Sequence, residues 1–332
     1  MRYFLLVFSL LTVSTLEAQN LLALIKSGNH YGFVAPDGST IIEAKYQNAL
    51  SFHEGLAPVQ LNDKWGYINP SGNVVIDFLY DDAIWFWEGL AAVRSGDKWG
   101  YIDKNNQIII PFEYDDTFAF SEGLTSVRKD GNAGFLDKSG RIVIALNYAE
   151  TFDFYNGIAP VEDHAGRILF VDKSGDLVDQ PFLRQLILLR DKYIFFFRDE
   201  KIGVKTERGK ILLEPKYDAI QRFRGNHTFF KLDSEKFGLI TKRGKIVQKP
   251  RFEDVGAISE KLGAVMIDGK WGYLHIKKGI FIAPRFEEAL PFKNGYAAVK
   301  LNGKWGFINR KGEVIVPFRY EENADPYFEK TK

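Results

Sequence analysis

The chain contains no cysteine. That excludes disulfides, thiolate metal sites and a lipid-attachable thiol near the N-terminus, so the protein is not expected to be a lipoprotein. Histidine is scarce as well: His30, His53, His164, His227 and His275 are the whole set. They share no metal-ligand spacing, and neither a metal nor another cofactor is expected. Charge of one sign is also missing, since 44 basic side chains stand against 43 acidic ones for a net charge of +1. No global field then favours nucleic acid or an anionic membrane, and nucleic acid is not an expected partner. No phosphate-cradling glycine loop and no nucleophile elbow occurs. With no acid, base and nucleophile to assemble, no catalytic residue is expected, and an enzyme such as a hydrolase is disfavoured.

Long hydrophobic runs are confined to the N-terminus. Met1-Arg2 supplies a positive start, Tyr3 to Val13 is apolar apart from Ser9 and Thr12, and small or polar residues follow to Ala18-Gln19. A run this short does not span a bilayer, which takes roughly 20 residues. It reads as an export signal, residues 1–18, cut after Ala18, although Leu16 fits the minus-three place less well than alanine would. The competing reading is an apolar first core strand. No second segment of spanning length follows, so no integral membrane segment is expected after signal removal. The expected location is the periplasm, the outer surface or the medium.

What the chain has in abundance is repetition. Trp-Gly occurs four times, always after lysine and before an aromatic: Lys64-Trp65-Gly66-Tyr67, Lys98-Trp99-Gly100-Tyr101, Lys270-Trp271-Gly272-Tyr273 and Lys304-Trp305-Gly306-Phe307. Extending the frame places Gly32, Gly66, Gly100, Gly134, Leu169, Gly203, Gly238, Gly272 and Gly306 in one slot, at steps of 34 or 35 residues. Nine units result, near 29–63, 64–97, 98–131, 132–165, 166–200, 201–235, 236–269, 270–303 and 304–323, within an array covering 19–332. A period of this size marks a repeat architecture.

Each unit reads as strands and turns. Trp65-Gly66-Tyr67-Ile68 alternates, with Trp65 and Tyr67 on one face and Gly66 and Ile68 on the other. A glycine weakens a strand, so its recurrence in this slot implies that another backbone or ring approaches where a β-carbon would collide. The turns Asn69-Pro70-Ser71-Gly72, Asp137-Lys138-Ser139-Gly140, Asp172-Lys173-Ser174-Gly175 and Asn309-Arg310-Lys311-Gly312 begin with a side chain that can bond the turn backbone and end in glycine. That is the requirement of a type I turn closed by a left-handed residue, and Asn106 fills the glycine place in the third unit. His275-Ile276-Lys277-Lys278-Gly279 has its glycine one residue late, which predicts a distorted hairpin. A β-branched strand follows each turn, as in Val74-Val75-Ile76. Pro111, Pro215, Pro250, Pro284 and Pro317 are expected to end it. A corner that has room for one more short strand leads to a last strand such as Leu90-Ala91-Ala92-Val93. Pro58 and Pro160 predict that this last strand lies at a sheet edge.

A single antiparallel meander of this size is not stable alone. Stacking units buries their apolar faces, so the expected fold is all-β: nine tandem meanders in an open, twisted, solenoid-like array. A closed propeller is the alternative, but its blades usually take about 40–45 residues and number about four to eight.

The Lys-Trp-Gly-Tyr-Ile-Asp pattern, the glycine turn, Val-Ile-Pro and Glu-Gly-Leu-Ala-x-Val resemble bacterial WG-repeat proteins, also called KWG repeats, from about Asn29 to Asn323. Members often carry export signals and mostly have no assigned activity. The resemblance implies a β-repeat protein with a binding or scaffolding role and carries over no catalytic residue. The pattern weakens at Arg167-Ile168-Leu169-Phe170 and Ile202-Gly203-Val204, and Leu186 to Phe197 is unusually apolar. A bend near 166–200, a partner patch or a diverged unit still in the stack would each account for this.

Two residue sets stand out. The acidic pairs Asp81-Asp82 and Asp115-Asp116 read as a weak calcium site or, as expected here, as solvated corner residues bonding nearby backbone. Trp85 and Trp87 flank Phe86 where other units carry Ser51 and His53, Ala119 and Ser121, or Asp153 and Tyr155. Alternation turns both indoles away from the face used by Phe86. Exposed, they suit a protein hot spot or a sugar ring; packing under a neighbouring corner is the competing reading. The leading expectation is an exported, non-enzymatic surface for another macromolecule. The runner-up is an envelope glycan-binding module using Trp85, Trp87 and Tyr155. On either reading Trp65, Gly66, Trp99, Gly100, Trp271, Gly272, Trp305 and Gly306 are structural.

Overall fold

The computed structural model describes residues 21–178, 193–206, 208–321 and 327–331. The expected export signal 1–18 lies outside them, as do residues 186–192 of the apolar stretch. Among the described residues every regular element is a strand, and the strands form nine antiparallel sheets in tandem, none closed into a barrel. No helix among them is long and apolar enough to cross a membrane. The chain divides into two compact units, one running to Leu183 with Glu329–Lys332 added, the other Arg184–Phe328.

In the second sheet the order is Asn48–Ala49, Ala57–Leu61, Lys64–Ile68 and Val74–Tyr80. The Trp-Gly strand is third of four, and the hydrogen-bonded sheet ends at Tyr80, so the next sheet opens with the following corner strand, Asp82–Ala83. The first sheet is finished from elsewhere: Leu21–Ser27 pairs with Glu329–Lys330, and this far segment supplies its fourth strand.

The glycine slot has the close neighbour that its recurrence implies. Trp65 pairs with Tyr80 and Tyr67 with Ile76, so two residues on one strand face four on the other and the outer strand bulges. The bulge brings backbone over the glycine. A β-carbon on Gly66 would stand 2.6 Å from the Ile76 carbonyl oxygen, and one on Gly100 would stand 2.6 Å from that of Ile110. Gly32, Gly134, Gly272 and Gly306 meet the same carbonyl at 2.5–2.6 Å. At Gly203 a ring makes the approach as well, Phe196 at 2.6 Å. Leu169 holds the slot in Ile168–Asp172, and the following segment pairs with that strand through Val178 N–H to the Phe170 carbonyl.

The bulge also corrects the expectation for proline. Pro111, Pro215, Pro250, Pro284 and Pro317 do not end their strands but lie inside Ile108–Tyr114, Ile211–Tyr217, Ile246–Phe252, Gly279–Phe286 and Val314–Tyr320. Each sits in the bulge of an edge strand, where no ladder donor is required. Pro58 and Pro160 are corrected too. Their strands are not edges, since the two-residue strands Asn48–Ala49 and Glu150–Thr151 lie outside them. Their carbonyls accept from Leu50 and Phe152 on that side, where the short strand has run out and a missing N–H costs nothing.

Turns follow the expected chemistry. Asn69 Oδ1 accepts from the N–H groups of Ser71 and Asn73, Asp137 and Asn309 repeat the arrangement, and Gly72 and Asn106 have φ of 81° and 63°. The eighth turn departs as its late glycine implies. His275 pairs with Gly279, and His275 Nδ1 takes the carboxylate's role by accepting from the N–H groups of Lys277 and Lys278.

Sheets of one unit bury their faces against each other. Trp65, Tyr67, Ile76 and Tyr80 of the second sheet meet Ala83, Ala91, Val93 and Ile102 of the third, while Ala92 and Tyr101 turn to the fourth. Tyr273, Ile282 and Phe286 meet Ala297, Val299 and Ile308 in the same way.

Gly100→Val is expected to destabilise the first unit by more than the about 1–3 kcal/mol typical of overpacking, because backbone rather than a movable side chain blocks the site. Chemical unfolding measures it, and an unchanged midpoint removes the close-approach account. A second outcome concerns pH. Burial, then the charges of Lys278, Lys261, Arg310 and Lys277, hold His275 below its ordinary 6.5, and burial followed by Lys277 lowers His227. A depressed folded pKa means stability fully present above pH 6.5 and lost as pH falls through the folded values. The melting temperature of the second unit should therefore drop on acidification from about pH 7 to 5. His275→Asn, which keeps a turn acceptor without a titrating ring, should flatten that dependence.

Candidate functional site

The corner that carries Trp85 and Trp87 is built by the sheet before it. The Tyr67 hydroxyl donates to the Ile84 carbonyl at 2.8 Å, and the Phe86 ring packs edge-on against Tyr67 with centroids 4.9 Å apart. Phe86 is fully buried, whereas Trp85 is 36% and Trp87 44% exposed, so alternation across the corner puts both indoles outside. Tyr101 and Tyr273 anchor their next corners by the same bond, to the carbonyls of Phe118 and Leu290. Burial pushes the phenols of Tyr67, Tyr101 and Tyr273 up, which keeps them protonated as donors.

His53, one repeat before Trp87 in the same slot, completes the arrangement. Its ring stacks on the Trp87 indole with centroids 4.1 Å apart and planes 5° from parallel. Its Nδ1 lies 2.6 Å from the Phe86 carbonyl oxygen, to which it donates. One face of Trp87 is thereby covered and its ring is fixed. The structure thus brings Trp87 and His53 together, with Trp85 exposed two residues before Trp87. Tyr155, 53% exposed, stands two corners further along with Ser121 between.

A ladder that the sequence reading missed runs beside these rings. Glu54, Glu88 and Glu122 have left-handed backbone, with φ of 48°, 52° and 54°. Their carboxylates accept from the N–H groups of Gly89, Gly123 and Gly157 in the next corner. Lys104, Lys138 and Lys173 then donate to the carbonyl of the same glutamate and pair with its carboxylate at 3.3, 3.0 and 3.1 Å. Glu260, Gly295 and Arg310 repeat it in the second unit. The recurrence of Glu-Gly at one slot was the available signal.

The acidic pairs are occupied by the fold. Asp81 binds Lys64 at 2.5 Å and the Gly96 N–H at 2.8 Å, while Asp82 accepts from Ala83 N–H; Asp115 and Asp116 do the same with Lys98, Asp130 and Thr117. Among the described residues no group of three or more histidine, aspartate and glutamate side chains is placed to hold a metal.

With this geometry in view, the chain falls into a known class. The family described as WG containing repeat matches eight times, at residues 31–65, 65–99, 99–132, 134–163, 202–235, 237–271, 271–305 and 305–329. The chain belongs to that family. The stretch 164–201, which the family pattern passes over, holds the unit whose glycine slot carries Leu169. Nothing among curated proteins matches the chain. Among solved structures it is similar to a eukaryotic initiation factor, at 9% identity and a TM-score of 0.53 over 93% of this chain and 98% of that one, a likeness of fold. BamB from Moraxella catarrhalis is matched at 8% identity and a TM-score of 0.33, over 74% of this chain and 92% of that one. PorZ from Porphyromonas gingivalis, a bacterial surface component of the type-IX secretion system, is matched at 10% identity and a TM-score of 0.29, over 87% of this chain and 45% of that one.

Glu88→Ala removes a charged acceptor from Gly123 and a partner from Lys138. It is expected to cost the first unit about 1–2 kcal/mol, read by denaturant unfolding.

Proposed function

We propose that the protein is an exported, non-enzymatic binding module whose corner surface holds another macromolecule. The observation that carries this reading is the pair Trp85 and Trp87. Four of the six tryptophans occupy the repeated slot beside the glycine, but these two sit outside the buried faces on a corner held by Tyr67 and His53. Sheet stacking does not need them there, and exposed indoles on a rigid support are what a hot spot requires, since ordering them on binding costs little. The family supports the reading as one defined by its repeats. The start Met1-Arg2, the apolar run Tyr3 to Val13 and Ala18 support export.

A glycan of the cell envelope is the second reading, because the free face of Trp87 and the neighbouring Trp85 offer sugar rings a stacking platform, with Tyr155 further along. Replacing Trp85 and Trp87 together by alanine should lower capture of envelope components from the exporting cell by at least about tenfold while leaving thermal stability nearly unchanged. Equal capture by the variant would remove the tryptophan pair as the binding site. Unchanged retention of the variant on purified envelope polysaccharide, with capture of envelope protein lost, rejects the glycan reading and keeps the protein one.

A further inference from the structure

The net charge of +1 is the sum of two opposite halves. Residues 21–178 of the first unit carry 12 basic and 22 acidic side chains, whereas residues 193–321 of the second carry 26 basic and 15 acidic. The near-neutral total therefore conceals a strongly positive second unit.

The repeat shows where that excess sits. Each sheet joins its glycine-slot strand to its outer strand by a turn. Two residues after the turn opens, the first unit has Asp37, Ser71, Asn105, Ser139 and Ser174. The second unit has Arg208, Arg243, Lys277 and Lys311 in that slot, and all four are exposed. The residue that opens the turn changes as well. Asp103, Asp137 and Asp172 cap turns of the first unit with a carboxylate. Thr206, Thr241, His275 and Asn309 accept from the turn N–H groups in the second unit without one. The tips thus lose an acid and gain a base.

Turn cations of the first unit are paired: Lys104, Lys138 and Lys173 with Glu54, Glu88 and Glu122, and Arg141 with Asp137. Arg243, Lys277 and Lys311 enter no ion pair among the described residues. The basic turns also lie side by side, each against the outer strand of the sheet before it. A β-carbon on Gly244 would stand 3.6 Å from Leu213, one on Gly279 4.0 Å from Gln248, and one on Gly312 3.1 Å from Ile282. After burial, the charges of Lys278, Lys261, Arg310 and Lys277 lower the pKa of His275, so cations from three turns act on one ring. Because stacked sheets lie about 10 Å apart, the row presents a cationic tip about every 10 Å.

We propose that this row of turns binds an acidic polysaccharide, laid across successive tips with its anionic groups on Arg208, Arg243, Lys277 and Lys311. A linear polymer charged at regular intervals matches cations set at a fixed period, and its weak contacts add up along the row. Single-stranded nucleic acid is less suited, because its bases stack on open aromatic rings and the exposed ring next to these turns, Phe281, carries Lys278 over it at 5.6 Å. A bilayer is less suited too, since the charged tips stand ahead of the exposed Ile246 and Val314 that follow them on the strands. The row shares no residue with the tryptophan corner.

The test titrates the full-length chain with oligogalacturonates of increasing length at low salt. Affinity should rise with length and fall as added salt screens the row. Arg243→Ser with Lys277→Ser installs the residue that Ser71 and Ser139 supply in the first unit, so the melting temperature should hold while affinity falls at least about fivefold. Lys236→Ser with Lys270→Ser removes the same charge from the other end of the strands Phe237–Thr241 and Lys270–His275, and should change affinity less than about twofold. Trp85→Ala with Trp87→Ala should leave it unchanged, which separates failure here from failure at the tryptophan corner. Equal weakening by the two charge pairs would reduce the effect to net charge and overturn the proposal, as would a failure to hold both oligogalacturonate and heparin. Oligo(dT) or phosphatidylglycerol vesicles held through Arg243 and Lys277, with neither polysaccharide bound, would reassign the row to nucleic acid or to a membrane.

Discussion

The structure depends on a glycine whose missing β-carbon admits a carbonyl. At Gly66 the Ile76 oxygen stands where that carbon would be, and the outer strand takes four residues to pass two of its neighbour. A side chain in this slot would push the outer strand off the sheet, and the bulge with it. One steric vacancy thus admits the bulged outer strand, which tolerates proline because the bulge needs no ladder donor there.

From the glycine the constraint passes to the corners. Tyr67 follows Gly66 and spans to the next sheet, where its hydroxyl holds the Ile84 carbonyl and its ring meets Phe86. The glutamate ladder adds a second hold from corner to corner, with Lys138 bonding Glu88 as Glu88 bonds Gly123. The backbone of a corner is therefore fixed from two sides, and the side chains flanking its buried phenylalanine add to this only where they can donate, as His53 does to the Phe86 carbonyl and Ser121 to that of Phe154. Those flanking positions are free to vary, and they do: Ser51, Trp85, Ala119 and Asp153 occupy one slot and His53, Trp87, Ser121 and Tyr155 the other.

Much of this was legible in the amino-acid order, and the limits have physical causes. A glycine returning every 34 or 35 residues has few explanations besides close approach, and turns opened by aspartate or asparagine carry their own hydrogen-bond chemistry. Alternation around Phe86 was enough to place Trp85 and Trp87 outside. Proline misled because its meaning depends on which edge of a strand faces a partner, and that is a property of the sheet. Pro111 needed a bulge and Pro160 needed a two-residue neighbour, neither of which a local pattern encodes. The ladder was hidden because Glu88 takes a left-handed conformation that its residue type does not favour, and because its partner Lys138 lies 50 residues away. His53 looked scattered until the slot arithmetic set it one repeat before Trp87.

A groove of about 560 Å³ between corners of the second unit was illegible for a related reason, since it is made by what is small. Ala257 and Ser259 have no chemistry to notice, and they matter only because the repeat says what that space holds elsewhere. A ring at this slot gives a projecting surface, as Trp85 and Trp87 do, whereas Ala257 and Ser259 leave space at theirs. Both outcomes leave the glycine slot untouched, Gly66 and Gly238 each meeting a backbone carbonyl, so neither depends on remaking the stack. In a repeat of this kind the exposed surface can change one corner at a time, and the residues to compare are those in the slots on either side of Phe86, Ile258 and Phe292.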